Sequence, residues 1–268
     1  MSPERRTIDS TLANAPLTQA QPPSFSYDPV AFMPDVKVIK VGGQSVMDRG
    51  RQALFPILDE LAGAKDQHKL LLCCGGGTRA RHLYALASEL EFPTGLLAAL
   101  GGSVPTQNAR MLQMLLARYG GIFMHHDDFE KLPLYLRLGC IPIMTGMPPF
   151  GYWEKPTENG RIPQHRTDAG VFLTAEVLGV KRAIFIKDEN GLFTDDPKKN
   201  PNATHIPNIS ARELIRRDLA DLVLERVVIE YLTRARFCHE LQIINGLERG
   251  MVTRALEGED VGTIIYKD

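Results

Sequence analysis

The sequence lacks three features that would direct it to a membrane or to nucleic acid. No apolar run approaches the roughly 18 residues of a membrane-spanning helix, and the first residues contain no apolar signal core. A surplus of positive charge is also absent, because 31 Lys and Arg residues are balanced by 32 Asp and Glu residues. These absences predict a cytoplasmic protein that binds neither membranes nor nucleic acid.

Cysteine is scarce, and its spacing excludes the common metal and redox motifs. The four cysteines are Cys73, Cys74, Cys140 and Cys238. None belongs to a C-x-x-C pair, and no spacing of Cys and His is typical of a structural zinc site. We interpret them as reduced thiols that pack as small apolar groups.

Residues 1–30 differ in composition from the rest of the chain. Pro22, Pro23 and Pro29 oppose regular structure there, which predicts a flexible N-terminal arm. Composition leaves open whether this arm wraps a neighbouring subunit. Residues 31–268 are predicted to form the folded domain.

Short apolar runs alternate with helical patterns throughout that domain. Strands are predicted at 36–41, 69–74, 140–144, 183–186, 242–244 and 262–266. Helical periodicity follows at 54–61, 82–90, 108–119 and 167–178. This alternation predicts an α/β fold, a three-layer αβα sandwich with a mainly parallel central sheet. Ligands of such sheets bind at the carboxyl ends of the strands.

The first chemical motif is Lys40 followed by Gly42 and Gly43, at the end of the first strand. Glycines let the backbone approach a phosphate closely, and a helix start favours an anion. Lys40 would then neutralise charge on a phosphoryl group. The alternative is an ordinary turn with a surface lysine. The segment is not a Walker A loop, because the Gly-Lys-Ser/Thr spacing is missing.

The second motif is Gly75-Gly76-Gly77 after the second strand, with Arg79 and Arg81 downstream. Three glycines can wrap a phosphate, and arginines supply donors for its oxygens. The G-x-G-x-x-G spacing of dinucleotide-binding proteins is absent. An isolated structural turn is the alternative.

The third motif is Thr167-Asp168 before an apolar helix. Either residue would serve as a helix cap. The functional interpretation is that Asp168 orients phosphate groups, lysines or a metal ion.

The fourth motif begins at Lys187, after the 183–186 strand. Asn-Gly and Asp-Pro predict two tight turns, with an aromatic ring and charges that suit a purine nucleotide. Its acidic residues suggest Mg²⁺, which usually takes one or two carboxylates plus phosphate oxygens. A solvated loop is the alternative. The candidate nucleotide-binding residues are Asn190, Gly191, Phe193, Asp196, Pro197 and Lys198.

Taken together and in this order, the four motifs resemble the amino-acid-kinase family over about residues 31–268. Within it, longer stretches resemble the molybdenum storage proteins, more the β type of subunit than the α type, and the related uridylate kinases. These stretches are 39–50, 78–84, 146–149, 166–169, 245–247 and 260–265.

The resemblance implies a hexameric cage, a trimer of dimers, that binds Mg·ATP and stores molybdate or tungstate as polyoxometalate clusters. It leaves open whether a homologous α-type subunit takes part, and whether this chain hydrolyses ATP. In this interpretation Lys40 and Lys187 stabilise nucleotide phosphates, and Asp168 orients the site. The glycine turns, Arg81 and the fourth motif hold the nucleotide.

Three departures from the related patterns matter. A typical uridylate kinase has Ser and Glu where Gly42 and Gln44 stand here, and Asp where Asn190 stands. The α-type histidine run is replaced by residues 150–153. Two alternatives therefore remain: a uridylate-kinase-like phosphotransferase, and a non-catalytic nucleotide-binding cage subunit.

Histidines are the candidate contacts to oxide clusters. His125 and His126 lie in a polar segment between a predicted strand and helix, and His165 directly precedes Arg166. Imidazoles and backbone amides can hold anions without a basic protein overall. The alternative is an exposed loop with no ligand role.

Overall fold

The computed structural model describes residues 30–157, 161–219 and 222–268. The predicted N-terminal arm of residues 1–30 therefore lies, apart from Val30, outside the described residues. All helices and strands discussed below belong to the part of the chain that follows it.

Eight strands form one sheet through the centre of the domain. With a separate two-stranded pair, the described residues contain ten strands, which in chain order are β1 (Val36–Val41), β2 (Lys69–Cys74), β3 (Gly121–Phe123), β4 (Ile141–Thr145), β5 (Arg182–Lys187), β6 (Leu192–Phe193), β7 (His205–Ile206), β8 (Asn208–Ser210), β9 (Glu240–Asn245) and β10 (Thr263–Tyr266). The sheet order is β3-β4-β2-β1-β5-β9-β10-β8, and β6 pairs with β7 separately. Only the β9–β10 pair is antiparallel within the large sheet.

Helices cover both faces of this sheet. They are α1 (Arg51–Ala64), α2 (Gly77–Glu89), α3 (Thr94–Leu116), α4 (Leu132–Arg137), α5 (Thr167–Leu178), α6 (Ala211–Arg217), α7 (Arg226–Arg234) and α8 (Met251–Leu256). Short 3-10 helices lie at Met47–Arg49, Ala117–Tyr119, His126–Lys131 and Gly151–Trp153. Among the residues described, no helix combines the length and apolar character needed to cross a membrane.

Two hydrophobic cores lie on opposite faces of the sheet. Val38 of β1 belongs to the core that contains residues of α5, α6 and α7, whereas the next residue, Ile39, belongs to the core with α1, α3 and α8. Cys73 and Cys74 divide in the same way, because successive side chains of a strand point to opposite faces. Both faces of β1 and β2 are therefore buried, which explains their continuous apolar sequences. The predicted αβα sandwich with a mainly parallel sheet is confirmed.

The longest helix differs most from its sequence-based prediction. We predicted 108–119, but α3 begins at Thr94 and has 23 residues. Gly101 and Pro105 interrupt the periodic pattern that would have indicated its first half. Packing against α2 explains the glycine, because a Cβ at Gly101 would lie 2.2 Å from the Tyr84 ring. Tertiary contact thus overrides the low helix propensity of glycine.

The parallel strands carry the four motifs to the same edge of the sheet. Parallel pairing runs from β4 through β2, β1 and β5 to β9, so the carboxyl ends of these strands lie side by side. The turns that follow β1, β2 and β5 therefore surround one crevice.

Candidate functional site

A cavity of about 620 Å³ lies at the carboxyl edge of the sheet. Its walls are the glycine turns after β1 and β2, the start of α5 and the segment after β5. Residues 222–225, which no motif had indicated, complete the wall. Five segments that are far apart in sequence thus face a single space.

Lys40, Asp168 and Lys187 meet at the base of the cavity. The Lys40 ammonium donates a hydrogen bond to Thr167 Oγ1 at 2.8 Å and forms an ion pair with Asp168. Lys187 Nζ lies 3.4 Å from the same oxygen, Asp168 Oδ1. The lysine at position 40 is only 4% exposed, so it is not the surface lysine of the alternative interpretation. Thr167 and Asp168 direct their side chains to the lysines rather than capping α5.

Burial and neighbouring charges shift the pKa values of Asp168 and Lys187 at this centre. Burial opposes the charge on Asp168, but Lys187 and Lys40 outweigh it and hold the pKa of Asp168 below its usual value of 3.8. Burial lowers the pKa of Lys187, and the nearby Lys40 lowers it further, while Asp168 acts in the opposite direction. The site therefore holds an ionised carboxylate between two amines whose positive charge a phosphate would stabilise.

Glu225, just before α7, completes this centre and was not predicted. Its carboxylate accepts hydrogen bonds from the backbone amides of Arg166, Asp168 and Ala169, each at 3.1 Å. Its own amide donates to Asp168 Oδ2 at 3.3 Å. Burial and the nearby Asp168 raise the pKa of Glu225. No local pattern could have indicated it, because its partners lie more than 50 residues earlier in the sequence.

The two glycine turns contact each other. A Cβ at Gly43 would lie 2.2 Å from the Gly77 nitrogen, and one at Gly75 would lie 2.6 Å from the Gly43 nitrogen. These glycines are therefore required by the packing of one turn on the other, whatever the ligand. Within the described ranges, the amides of Gly43, Gly76 and Gly77 have no protein acceptor, which leaves them available to an anion.

Other glycine amides are already used by the protein. Gly42 donates to the carbonyl of Ile186 at 3.1 Å, and Gly75 donates to that of Val41 at 3.0 Å. These two residues extend the strand pairing into the turns. Only part of the predicted phosphate-binding backbone is thus free.

An acidic side chain from the 3-10 helix at Met47–Arg49 contacts the start of α2, and none of the four motifs includes it. The Asp48 carboxylate accepts a hydrogen bond from the amide of Thr78 at 2.5 Å. It would also lie 2.5 Å from a Cβ at Gly77, which has a φ of +76°. Arg81 lines the cavity, whereas Arg79 turns away to bind Gln107 and Asn108 of α3.

The segment after β5 forms the outer wall and is held by ion pairs. Asp188 pairs with Arg49 and with Lys198 at 3.0 Å, and Lys198 also binds Glu189 at 2.9 Å. Asp196 pairs with Lys199 at 2.9 Å. Asp188, Glu189 and Asp196 are thus paired with cations, whereas Asp195 accepts hydrogen bonds from the Asn200 side chain and the Asp196 amide. Over the described ranges, no three or more His, Cys, Asp or Glu side chains are arranged to hold a metal ion.

Most of the predicted nucleotide-binding residues line this wall. They are Gly191, Phe193, Asp196, Pro197 and Lys198, and the Phe193 ring lies 5.2 Å from that of His205. Asn190 is exposed and does not line the cavity. Gly191 has a φ of +117°, and a Cβ there would lie 2.1 Å from Thr263 Oγ1, so only glycine fits.

The three candidate histidines do not line the cavity. The ring of His126 binds the carbonyl of Met147 at 2.8 Å, and burial lowers its pKa. His125 is exposed. His165 is buried with one ring nitrogen 2.6 Å from Glu154 and the other bonded to Tyr231. Their role as cluster contacts stays a prediction, and for His165 it requires release of a protein partner.

Comparison with known proteins places these features in context. The family model described as "Amino acid kinase family" matches residues 35–225. The molybdenum storage protein subunit beta of Azotobacter vinelandii is 49% identical over 234 residues, which cover 87% of each chain. A uridylate kinase of Pyrococcus abyssi is 32% identical over 159 residues, 59% of this chain and 63% of that one. The crystal structure of UMP kinase from Bacillus anthracis has the same fold, with a TM-score of 0.68, 22% identity, and coverage of 87% of this chain and 96% of that one.

Proposed function

The chain belongs to the amino acid kinase family, and from this premise we propose that it is a storage subunit for molybdenum or tungsten. In this proposal it binds Mg·ATP in the cavity and hydrolyses it to load molybdate or tungstate. The metal is then held as polyoxometalate clusters inside an oligomeric cage. The similarity to a protein named as a molybdenum storage subunit supports the storage role.

The observation that carries the nucleotide part is the centre formed by Lys40, Asp168 and Lys187. Two amines on one buried carboxylate present positive charge at the base of a cavity whose glycine turns offer unpaired amides. Such preorganised charge stabilises a phosphoryl group as its negative charge moves toward the leaving oxygen. Asp168 keeps both amines in place between turnovers.

The remaining cavity residues suit the rest of the nucleotide. Gly43, Gly76 and Gly77 would donate amide hydrogens to phosphate oxygens, and Arg81 would add a charged donor. Phe193 supplies an aromatic face for the base, and Lys198 lies on the same wall. The described donor set fits a polyphosphate better than a metal alone, because the outer carboxylates are already paired. Mg²⁺ would thus be held mainly by phosphate oxygens and water.

We further propose that the cage is a hexamer, a trimer of dimers, in which a homologous α-type subunit can take part. The relative's name, a β subunit, supports an assembly of several chains. Large apolar side chains exposed on the single chain are consistent with this, since Trp153 is 89% exposed and Met114 of α3 is 70% exposed. His125, His126 and His165 remain the proposed cluster contacts.

A uridylate-kinase-like phosphotransferase is the second candidate. Its support is a uridylate kinase of Methanothermobacter thermautotrophicus, 27% identical over 241 residues that cover 99% of that chain. A typical uridylate kinase has other residues at the positions of Gly42, Gln44 and Asn190, and this difference favours storage.

One experiment separates these functions. The purified protein is incubated with Mg·ATP and molybdate, desalted and analysed for metal per subunit, in parallel with an assay for transfer of phosphate to UMP. Storage predicts many metal atoms per subunit, ATP-dependent loading and no UMP phosphorylation. UMP phosphorylation without metal retention would overturn the proposal. Metal retention without any ATPase activity would identify a non-catalytic cage subunit.

A further inference from the structure

Glu225 differs from the other charged groups of the site because its hydrogen bonds go to the backbone around Asp168 and not to a lysine. Its carboxylate, 8% exposed, receives three amides from the first turn of α5. These amides are donors that a helix N-terminus leaves without an intrahelical partner. The residue before α5, Arg166, supplies no side-chain cap, so Glu225 takes that role from a distant part of the chain.

The contact between Glu225 and Asp168 is reciprocal. Glu225 accepts from the Asp168 amide, and the Glu225 amide donates to Asp168 Oδ2. The backbone amide of Glu225 fixes the rotation of the Asp168 carboxylate, and the Glu225 side chain holds the Asp168 backbone in the position that this contact requires. The other oxygen of Asp168, Oδ1, is then directed to both Lys40 and Lys187.

We propose that Glu225 is a positioning residue, whose hydrogen bonds with Asp168 fix the carboxylate that holds the two phosphate-binding lysines. The inference rests on the proposed nucleotide turnover. Glu225 acts through Asp168 and contacts no reacting atom. A displacement of the lysines by a fraction of an ångström matters, because transition-state stabilisation requires fixed charges.

The chain offers a matched control for the loss of a carboxylate that binds three backbone amides. Glu176, near the other end of α5, also accepts three backbone amides, from Arg236, Phe237 and Cys238, at 2.5–3.0 Å. Glu176 does not line the cavity. A purely structural role for Glu225 predicts that Glu225→Gln and Glu176→Gln behave alike.

The test is a double-mutant cycle of Glu225→Gln and Asp168→Asn in the full-length assembly, with Glu176→Gln as control. We expect Glu225→Gln to lower kcat for ATP by about tenfold or more, with KM changed by less than about threefold. Glu176→Gln should leave kcat within about twofold, although both variants lower the unfolding temperature. In the Asp168→Asn background, Glu225→Gln should have little further effect on kcat, because the two residues act as one unit.

A second measurement does not depend on turnover. The ammonium of Lys187 is titrated by NMR of protein labelled in lysine side chains, with Lys40, Asp168 and Glu225 as the charged groups that face it. Glu225→Gln should lower the pKa of Lys187, and by much less once Asp168 is Asn. An equal shift in both backgrounds, or equal kcat losses in Glu225→Gln and Glu176→Gln, would overturn the proposal. Absence of wild-type ATPase activity would refute the proposed hydrolysis while the lysine titration still decides the role of Glu225.

Discussion

The base and the outer wall of the cavity differ in how far their charged side chains are buried. At the base, Lys40 and Asp168 are almost fully buried. Lys40 lies near the carboxyl end of β1, and Asp168 lies at the start of α5. At the outer wall, Lys198 is 57% exposed and belongs to a segment with little regular structure. The base is therefore a fixed charge arrangement, whereas the wall is a set of solvent-exposed contacts around a nucleotide-sized space.

This difference predicts where mutations act. Breaking a buried ion pair leaves an uncompensated charge and costs about 3–5 kcal/mol, whereas an exposed pair contributes about 0–1 kcal/mol. Substitutions at the base should thus affect turnover and stability together. Substitutions at the wall should affect mainly binding.

The largest expected effect is that of Lys40→Ala. Loss of one transition-state charge should lower ATP turnover by about a hundredfold, on the order of 3 kcal/mol. We expect the variant to stay folded, because Lys187 still pairs with Asp168, but with a lower unfolding temperature. Steady-state kinetics and thermal unfolding check this. Lys37→Ala, on the same strand but away from the cavity, is the control, and equal turnover in both variants would remove Lys40 from the mechanism.

The next largest effect is expected on the pH dependence of stability, to which Asp168 at the base should contribute more than a carboxylate of the outer wall. Because its pKa is held below 3.8 in the folded state, its ionised form stabilises the protein above that value. This contribution is lost as the pH falls from about 3.8 through the lower folded-state pKa. In urea unfolding at several pH values, the free energy of unfolding should fall more steeply with decreasing pH for wild type than for Asp168→Asn. Asp188→Asn, whose cationic partners are more exposed, should change this pH dependence less than Asp168→Asn does. A larger change in Asp188→Asn would contradict the distinction between base and wall.

Phe193→Ala should weaken nucleotide binding without a large change in turnover at saturation. Base stacking on an aromatic ring contributes about 1–3 kcal/mol, so Kd should rise by about tenfold. The ring contacts the base equally in ground and transition states, so kcat is preserved. Calorimetry with an ATP analogue and kinetics at high ATP measure the two effects. Unchanged affinity with collapsed turnover would show that Phe193 acts differently.

The smallest effect is expected for Arg49→Ala at the outer wall. Its ion pair with Asp188 is partly exposed, and Lys198 remains as a second partner of that carboxylate. We expect the free energy of unfolding to change by less than about 1 kcal/mol, with even less effect at high salt. Denaturant titration at two salt concentrations measures it. A loss as large as that of Lys40→Ala would remove the distinction between base and wall.

Local patterns predicted six of the ten strands in the described residues and missed the short strands β3, β6, β7 and β8. The helix at 167–178 matches α5, since an unbroken apolar pattern and a glycine at its end mark its limits. The first half of α3 was missed because Gly101 and Pro105 have low helix propensity and are accepted there only through packing. The short helices α4, α6, α7 and α8 were missed as well.

For the site, residues next to strand ends were the easier part. Lys40 and Lys187 lie on or directly after apolar runs, so parallel pairing was enough to bring them together. Asn190 was expected in the cavity but is exposed, and the next residue, Gly191, does line it. The sequence also gave no means to distinguish Arg81, which faces the cavity, from Arg79, which binds α3.

By itself, the sequence determined the alternation of strands and helices, the burial of β1 and β2 on both faces, and the placement of the motifs at the carboxyl edge of the sheet. These follow from periodicity and chain direction, which are local properties. Only the tertiary structure decided the contact of the two glycine turns, the enclosure of His165 and the bonds of Glu225 to α5. Each of these joins residues far apart in the chain, and no local pattern encodes which distant groups satisfy a buried amide or carboxylate.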